Sequence, residues 1–228
     1  NIITRKRDEP LRGGVKSRFG RFRTLDLEAD LSTSGKRWRN EFFVNHNRST
    51  GYSLNPNSIS QTVPEYGNTT LNIRSGVEIT DWMDLDGTFR FYDEQQQNLA
   101  LSALSSRPDE TTERLVLQSE ETRREWMGHL TLSLRPASRL DLDLEFLSNV
   151  YHSGHELTPT GRSVPAAGSV YESTNFRQQY HRPELKAGFR WNLQHHTLGG
   201  TGRVVDKLTA ERYQGQPTFT TRYLFLQH

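Results

Sequence analysis

The stretch TLDLEADL, residues 24–31, alternates small or branched apolar residues with acidic residues from Leu25 onward. In an extended chain, successive side chains point to opposite faces. One face would then carry Leu25, Leu27, Ala29 and Leu31, and the other Asp26, Glu28 and Asp30. The stretch therefore predicts a β-strand with one apolar face and one fully charged face.

The same alternation recurs along the chain. It is found in TLNIRSGVEI (70–79), MDLDGTFRF (83–91), HLTLSL (129–134), RLDLDLEF (139–146) and ELKAGFRWN (184–192). A period of two indicates strands whose two faces have different surroundings, and no segment shows an equally regular helical period. We predict about ten strands, near residues 12–19, 22–31, 37–48, 69–79, 83–94, 121–134, 139–152, 179–192, 196–208 and 217–227.

The composition excludes several classes of protein. Only 32% of the 228 residues are hydrophobic, and the mean hydropathy is −0.80. No run approaches the roughly 18 apolar residues of a membrane helix, and the start, NIITRKRDEP, is not a signal peptide. A barrel strand, however, needs apolar residues only at every second position. The net charge of +2 gives no general case for nucleic acid, and the lack of cysteine excludes disulfides and thiolate metal sites.

The predicted connections alternate in length. Short turns at 32–36, 80–82, 135–138 and 193–195 alternate with long segments at 49–68, 95–120 and 153–178 and an intermediate one at 209–216. In an up-and-down sheet, this order places the short turns at one end and the long loops at the other. Bacterial outer-membrane barrels have this asymmetry. Several predicted strands also exceed the usual five or six residues of globular sheets.

Aromatic residues gather near the predicted strand ends. They are Trp38, Trp82, Tyr92, Trp126, Tyr151, Tyr180, Trp191 and Tyr223. Girdles of aromatic residues at the two membrane interfaces would explain this distribution. We therefore expect an all-β, antiparallel up-and-down meander that is part of a large transmembrane barrel, with nearest-neighbour pairing and two open edges. The leucine face would contact lipid. The acidic face would line a water-filled lumen or contact a polar partner that fills the lumen.

Several segments resemble the TonB-dependent outer-membrane receptors. NIITRK (1–6) resembles the last strand of the plug domain of that family, and GGVKSRFGRFRTLDLEADL (13–31) resembles the entry into its barrel. NHNRSTGYSLN (45–55), HTLGGTGRVVDKL (196–208) and TRYLFLQH (221–228) are similar to later barrel segments. The resemblance implies that residues 1–8 are the end of a plug and its linker. Residues 9–228 would then be the first roughly ten strands of an incomplete barrel.

The resemblance implies a function in active transport. Such a receptor binds a scarce ligand, for example an iron chelate such as a siderophore, cobalamin or a glycan, and imports it across the bacterial outer membrane. Energy would come from an inner-membrane coupling protein through a segment missing from this chain. The implied partners are outer-membrane lipid, the small-molecule ligand and the coupling protein, with no nucleic acid and no cofactor.

Catalytic and metal-binding motifs are absent from the sequence, so we expect no enzyme activity, no catalytic residue, no cofactor site and no metal site, and the ligand-binding residues stay unassigned. His152 and His155 could form a metal pair but have no third ligand nearby. His195 and His196 would face opposite sides of a strand. The glycines of GGTGR (199–203) are interpreted as space for a bulge or for close packing.

Two alternatives remain open at this stage. The first is a soluble β-sandwich that binds carbohydrate, with Tyr and Trp residues stacking on sugars. It predicts two packed sheets with apolar residues buried between them. The second is an outer-membrane barrel enzyme, for which His152, Ser153 and His155 are the nearest candidates for a catalytic group.

Overall fold

The computed structural model describes residues 10–103, 114–160, 173–192, 194–210 and 216–228. All regular elements in these residues are β-strands. They are β1 (Leu11–Phe19), β2 (Leu25–Ser34), β3 (Trp38–Ser49), β4 (Glu65–Thr80), β5 (Met83–Ala103), β6 (Arg114–Ala137), β7 (Leu140–Pro159), β8 (Ser173–Arg190), β9 (His196–Ala210) and β10 (Thr218–Gln227). Among the described residues, no helix has the length and apolarity needed to cross a bilayer.

The strands form one sheet in sequence order, from β1 to β10. Each pairs antiparallel with its neighbours in the chain. Within the described residues, β1 pairs only with β2 and β10 only with β9, so the sheet is not closed. The predicted all-β antiparallel meander with two open edges is therefore confirmed. The predicted plug end, residues 1–8, lies outside the described residues.

Connections are sorted by end, as the sequence predicts. Short turns at 35–37, 81–82, 138–139 and 191–195 lie at one end of the sheet. The other end carries the described connections at 20–24 and 50–64, together with the strand ends at Ala103, Arg114, Pro159, Ser173, Ala210 and Thr218. The connection at 20–24 is a tight turn in which Phe22 and Arg23 have φ of 58° and 52°. A strand cannot include such residues, so the prediction that β2 begins at residue 22 is wrong by three positions.

The strands in the middle of the sheet are much longer than predicted. Strand β5 has 21 residues and β6 has 24, and they cover most of the segment 95–120 that the sequence indicated as a loop. Residues there still pair across strands, as Asn98 does with Ser119. Polar residues follow one another at 95–98 and 118–120, and apolar residues at 99–101 and 115–117, so the extension carries no alternation of apolar and polar residues. Backbone hydrogen bonds between strands do not depend on that alternation.

The sheet is a single layer with very little core. The buried hydrophobic residues among those described are Leu117 and Ala210. Leucine side chains of the alternating segments are exposed to solvent. The exposed fraction is 40% for Leu27, 45% for Leu144 and 52% for Leu130. Leu25 and Leu142 are half-buried. A second sheet covering these residues, which the sandwich alternative requires, is not found in the described part of the chain.

Candidate functional site: the charged face of the sheet

Strand register divides the sheet into two chemically different faces. Residues directly opposite each other in neighbouring strands share a face. One row across seven strands consists of Val15, Ala29, Val44, Leu71, Phe91, Trp126 and Val150. We call the face that contains this row the apolar face and the opposite one the charged face. The sequence predicted both faces correctly for the six alternating segments, but only the register shows that the faces are continuous from strand to strand.

From β3 to β8, the apolar face is free of charge over half of its height, whereas on β9 and β10 it carries Arg203 and Arg222, which lie directly opposite each other at mid-strand. On β3 to β8 its charged residues all lie in the half of each strand nearer the long connections. With described side chains, these residues are Arg48, Glu65, Asp93, Glu120, Arg124, Glu156 and Arg177. Towards the short turns, the same face presents leucine, phenylalanine, valine and small residues. The apolar band therefore has a defined border on the long-connection side.

The charged face holds ion pairs between neighbouring strands. At the β1–β2 end, Lys16 Nζ donates to Glu28 Oε1 at 2.6 Å and Arg18 Nε donates to Asp26 Oδ2 at 2.6 Å. These are the acidic residues of the stretch quoted first. Exposed pairs of this kind contribute little stability each, but they fix which side chains line the face.

At two places on the charged face, a side chain passes over a glycine of the neighbouring strand and contacts a residue of the strand after it. Arg39 of β3 pairs with Asp86 of β5 across Gly76 of β4. A Cβ atom on Gly76 would lie 2.6 Å from Asp86 Oδ1 and 2.8 Å from Arg39 Cζ. The glycine leaves the space through which the two side chains meet.

The same arrangement recurs on the last strands. The Tyr223 hydroxyl of β10 donates to Glu184 of β8, and its ring lies over Gly202 of β9. A Cβ atom on Gly202 would lie 2.4 Å from Tyr223 Oη. A Cβ atom on Gly200 would lie 2.5 Å from Phe225 Cζ. The interpretation of the GGTGR glycines as space for close packing is confirmed, whereas pairing from Leu198 to Lys207 with β10 continues without a bulge.

The least exposed charges form a cluster around Lys186. Glu145 and Glu184 lie directly opposite each other on β7 and β8. Their side chains are only 15% and 8% exposed, and Lys186 Nζ contacts them at 2.7 and 3.0 Å. Two carboxylates in this arrangement would repel each other, so the ammonium group between them holds the cluster together.

Two buried polar atoms beside this cluster have no hydrogen-bond partner within the described part of the chain. They are His129 Nε2, which lies 3.8 Å from Glu145 Oε2, and Arg182 Nε. That distance is too long for a hydrogen bond. Unpaired buried donors are costly, so the region around Lys186 is where a polar partner of the charged face would gain most.

A second cluster lies closer to the long connections. Arg123 of β6 contacts Glu94 of β5 at 3.2 Å and Glu121 at 3.1 Å, and Gln96 Nε2 donates to Glu94 at 2.8 Å. The Glu94 side chain is only 10% exposed. This network stiffens the part of the charged face that extends beyond the apolar band.

The histidines considered from the sequence are not brought together as a metal or catalytic site. His152 lies on the apolar face and His155 on the charged face, where its ring nitrogen contacts Ser119 Oγ at 3.1 Å. Ser153 is opposite Arg123 and has no histidine in its row. No group of three metal-binding side chains occurs in the residues searched.

The side chains of His195 and His196 lie apart, as expected. His195 lies in the turn before β9, where its ring stacks on His228 at a centroid distance of 5.4 Å. His196 begins β9 and lies beside Gly188. The two adjacent histidines do not share a partner in these contacts.

The aromatic residues divide into two groups. Trp38, Trp82 and Trp191 lie beside short turns and are 46%, 48% and 58% exposed, and Trp126 is 49% exposed at the opposite border of the apolar band. These positions agree with the predicted girdles. The tyrosines Tyr92, Tyr151, Tyr180 and Tyr223 instead lie on the charged face. Assigning these tyrosines to a girdle is wrong. Neighbouring residues of a strand point to opposite faces, so a position near the end of a strand does not determine the face of a side chain.

Comparisons with known proteins add little to this geometry. No family model matches the sequence, and the search of curated proteins gives no match. Among solved structures, the copper transporter OprC aligns with 95% of this chain at 10% sequence identity and a TM-score of 0.44. The aligned region is 42% of that structure, so this chain spans less than half of its length.

Proposed function

We propose that this chain is part of the barrel wall of an outer-membrane active-transport receptor of the TonB-dependent class. The observation that carries this proposal is the single-layer sheet with an exposed apolar band on one face and charged networks on the other. In water, such a band would be a large exposed hydrophobic surface, which soluble monomers avoid. In a bilayer it would be covered by lipid.

The height of the band suits a membrane. On β7, the apolar face runs from Leu140 to Val150 with Ser148 as its polar exception. At about 3.3 Å per residue this is about 36 Å of strand. A tilt of about 40° reduces it to about 28 Å, close to the roughly 25 Å band of outer-membrane barrels.

The charged face would line the lumen and meet a plug domain. Support comes from the pre-formed ion pairs and from the unpaired atoms His129 Nε2 and Arg182 Nε beside the Lys186 cluster. A polar domain inside the barrel would supply partners for these atoms. Coupling to an inner-membrane protein, and a ligand of the iron-chelate, cobalamin or glycan class, remain part of this proposal.

The two alternatives have less support. A carbohydrate-binding sandwich needs a second sheet over the leucines, and the described strands form one sheet. A barrel enzyme based on His152, Ser153 and His155 needs these groups on one face, and His152 lies opposite to the other two. The expected lack of enzyme activity stays a prediction.

Membrane placement can be tested with neighbouring residues of β6. Leu130 lies on the apolar face and Thr131 on the charged face. In the protein that carries this segment, folded into vesicles, each is changed to cysteine and labelled with an environment-sensitive fluorophore. Brominated lipid tails should quench the label at 130 and leave the label at 131 unaffected. Equal quenching at both positions would contradict the proposal.

Transport is tested separately in cells. Radiolabelled iron chelates, cobalamin and oligosaccharides are supplied to cells that express the protein, with and without a functional inner-membrane coupling complex. We expect coupling-dependent uptake of one class. Uptake of none of them, or uptake that is independent of coupling, would remove the active-transport part of the proposal and leave the membrane placement standing.

A further inference from the structure

A row of basic side chains lies on the apolar face, at the border of the apolar band nearer the long connections. Arg124, His152 and Arg177 are directly opposite one another on β6, β7 and β8. All three are exposed. The adjacent row towards the short turns contains Trp126 and Val150, so basic and apolar side chains meet along one line.

The row carries more positive than negative charge. Neighbouring strands are about 4.8 Å apart, so the three basic side chains begin within about 10 Å of each other. Arg124 and Arg177 carry the permanent positive charges of the row and repel each other across the strand between them. Asp93 compensates Arg124 at 2.6 Å from the β5 side. On the other side the row continues from Arg177 to Thr209, which is neutral.

Two shallow clefts adjoin the row and share Arg124 and His152. One, of about 200 Å³, extends towards the long connections and has polar walls that include Asp93 and Thr122. The other, of about 180 Å³, extends into the apolar band and is lined by Trp126, Val150 and Arg177 as well. A ligand that fills both clefts needs an anionic group at one end and an apolar group at the other.

We propose that Arg124, His152 and Arg177 bind the phosphate of a lipid with a net negative headgroup in the leaflet at the long-connection end, with the acyl chain of the lipid along Trp126 and Val150. The proposal rests on the membrane placement described above. The guanidinium group is planar and binds phosphate oxygens with two parallel hydrogen bonds. An anion between Arg124 and Arg177 would also relieve the repulsion between these two side chains.

For the test, the protein carrying this segment is purified in a neutral detergent, and the binding of added lipids is then measured. Phosphatidic acid and phosphatidylcholine with identical acyl chains are added in turn, and bound molecules are counted by native mass spectrometry. The wild-type protein should prefer phosphatidic acid by about tenfold or more, since each basic residue near an anionic lipid contributes about a factor of five. The double variant Arg124→Gln, Arg177→Gln should lose this preference.

A matched control removes two arginines from the charged face. Arg90→Gln with Arg190→Gln lowers the net charge equally but leaves the row intact, and we expect the lipid preference to stay within twofold of wild type. Arg177→Glu, which keeps the Arg124–Asp93 pair, should also abolish the preference. An unchanged preference in the Arg177 variants, or a loss in the control, would overturn the proposal.

Two further arms separate the possible causes of failure. Millimolar inorganic phosphate should not displace phosphatidic acid, because it cannot use the apolar cleft; complete displacement would identify a site for free anions and overturn the lipid assignment. Quenching by brominated lipid at position 130 is measured on the same samples. Wild-type protein that inserts but shows no lipid preference loses only the lipid site, whereas protein that does not insert loses the proposed function as well.

Discussion

At the scale of single residues, the surroundings of a side chain in this sheet depend on which face it occupies. Leu130 is 52% exposed on the apolar face, and its neighbour Thr131 lies on the charged face between Asp86 and Glu145. The two residues share a strand, a depth and a backbone conformation. A substitution at both positions therefore compares the two environments directly.

The first prediction places arginine at each of these positions. Near the bilayer midplane, Leu130→Arg should cost about 2–4 kcal/mol of folding free energy, because the guanidinium group would face hydrocarbon. Thr131→Arg should cost about 1 kcal/mol or less, since water and the two flanking carboxylates can accommodate the charge. Folding free energies are measured by denaturant titration of the protein in lipid vesicles. Equal penalties at the two positions would show that Leu130 does not face lipid.

The second prediction concerns Lys186, which lies between Glu145 and Glu184. Lys186→Met should destabilise the protein by about 1–3 kcal/mol, because two poorly hydrated carboxylates would then face each other. In a Glu184→Gln background, Lys186→Met should destabilise the protein less than it does in the wild type, by at least about 0.5–1 kcal/mol. The free energy of unfolding of the four proteins gives this coupling directly.

Lys16 provides the control for this cycle. It pairs with Glu28 at 2.6 Å, but its side chain is 76% exposed. Lys16→Met should therefore leave the free energy of unfolding almost unchanged. If both lysines gave the same small effect, the charged cluster around Lys186 would not be a stabilising element.

At the scale of elements, the strands in the middle of the sheet extend beyond the apolar band and need protection at their edges. Strand β4 begins at Glu65, opposite Gln97, while β5 continues to Ala103. The connection 50–64 takes the place of β4 along this exposed edge. Ser60 Oγ donates to the Leu99 carbonyl at 2.5 Å, so the connection lies against β5.

The third prediction tests this attachment through Asn98. Its side-chain oxygen accepts from Gln61 N at 2.9 Å, and its Nδ2 donates to the Gln61 carbonyl at 3.2 Å. Asn98→Ala removes both bonds, and a loss of about 1–2 kcal/mol should accelerate amide exchange at Gln61 by about 5–30-fold. Gln96→Ala, which removes a bond to Glu94 instead, should leave exchange at Gln61 unchanged. An unaltered rate in Asn98→Ala would mean that the connection is held by other contacts.

At the scale of the whole molecule, the sheet ends in two edges. All nine residues of β1 are exposed, and β1 pairs only with β2 among the described strands. A strand edge with unpaired backbone groups cannot be left in hydrocarbon, because each unpaired group is costly there. If the sheet is part of a larger barrel, as proposed, each of its two edges pairs with a further strand.

The fourth prediction follows from that requirement. Amide hydrogen exchange along β1 is compared between the chain of residues 1–228 and the complete protein that contains it. Amides of β1 that point away from β2 should exchange at least about 100-fold more slowly in the complete protein, because a new strand would pair with them. Strand β4, which is paired on both sides, serves as the internal reference and should change little. Equally fast exchange of β1 in both proteins would exclude closure through this edge.

Much of this architecture could be predicted from the sequence, because the period of two in segments such as residues 24–31 and 139–146 expresses two different surroundings. That pattern indicated about ten strands, their order, the faces of the leucines and the positions of the short turns. It failed where polar residues and then apolar residues follow one another, as in residues 95–103 and 114–120, because no alternation marks a strand there. It also placed residues 22–24 in a strand, although Phe22 and Arg23 adopt positive φ.

Only the tertiary structure determined which residues of different strands meet. The sequence shows that Glu145, Glu184 and Lys186 are charged and that Arg124, His152 and Arg177 are basic, but each group combines residues of strands that lie far apart in the chain. Their contacts depend on the register of β6, β7 and β8. Local alternation determines the face of each side chain, whereas register depends on the hydrogen bonds between whole strands, and a shift of one residue would exchange the two faces.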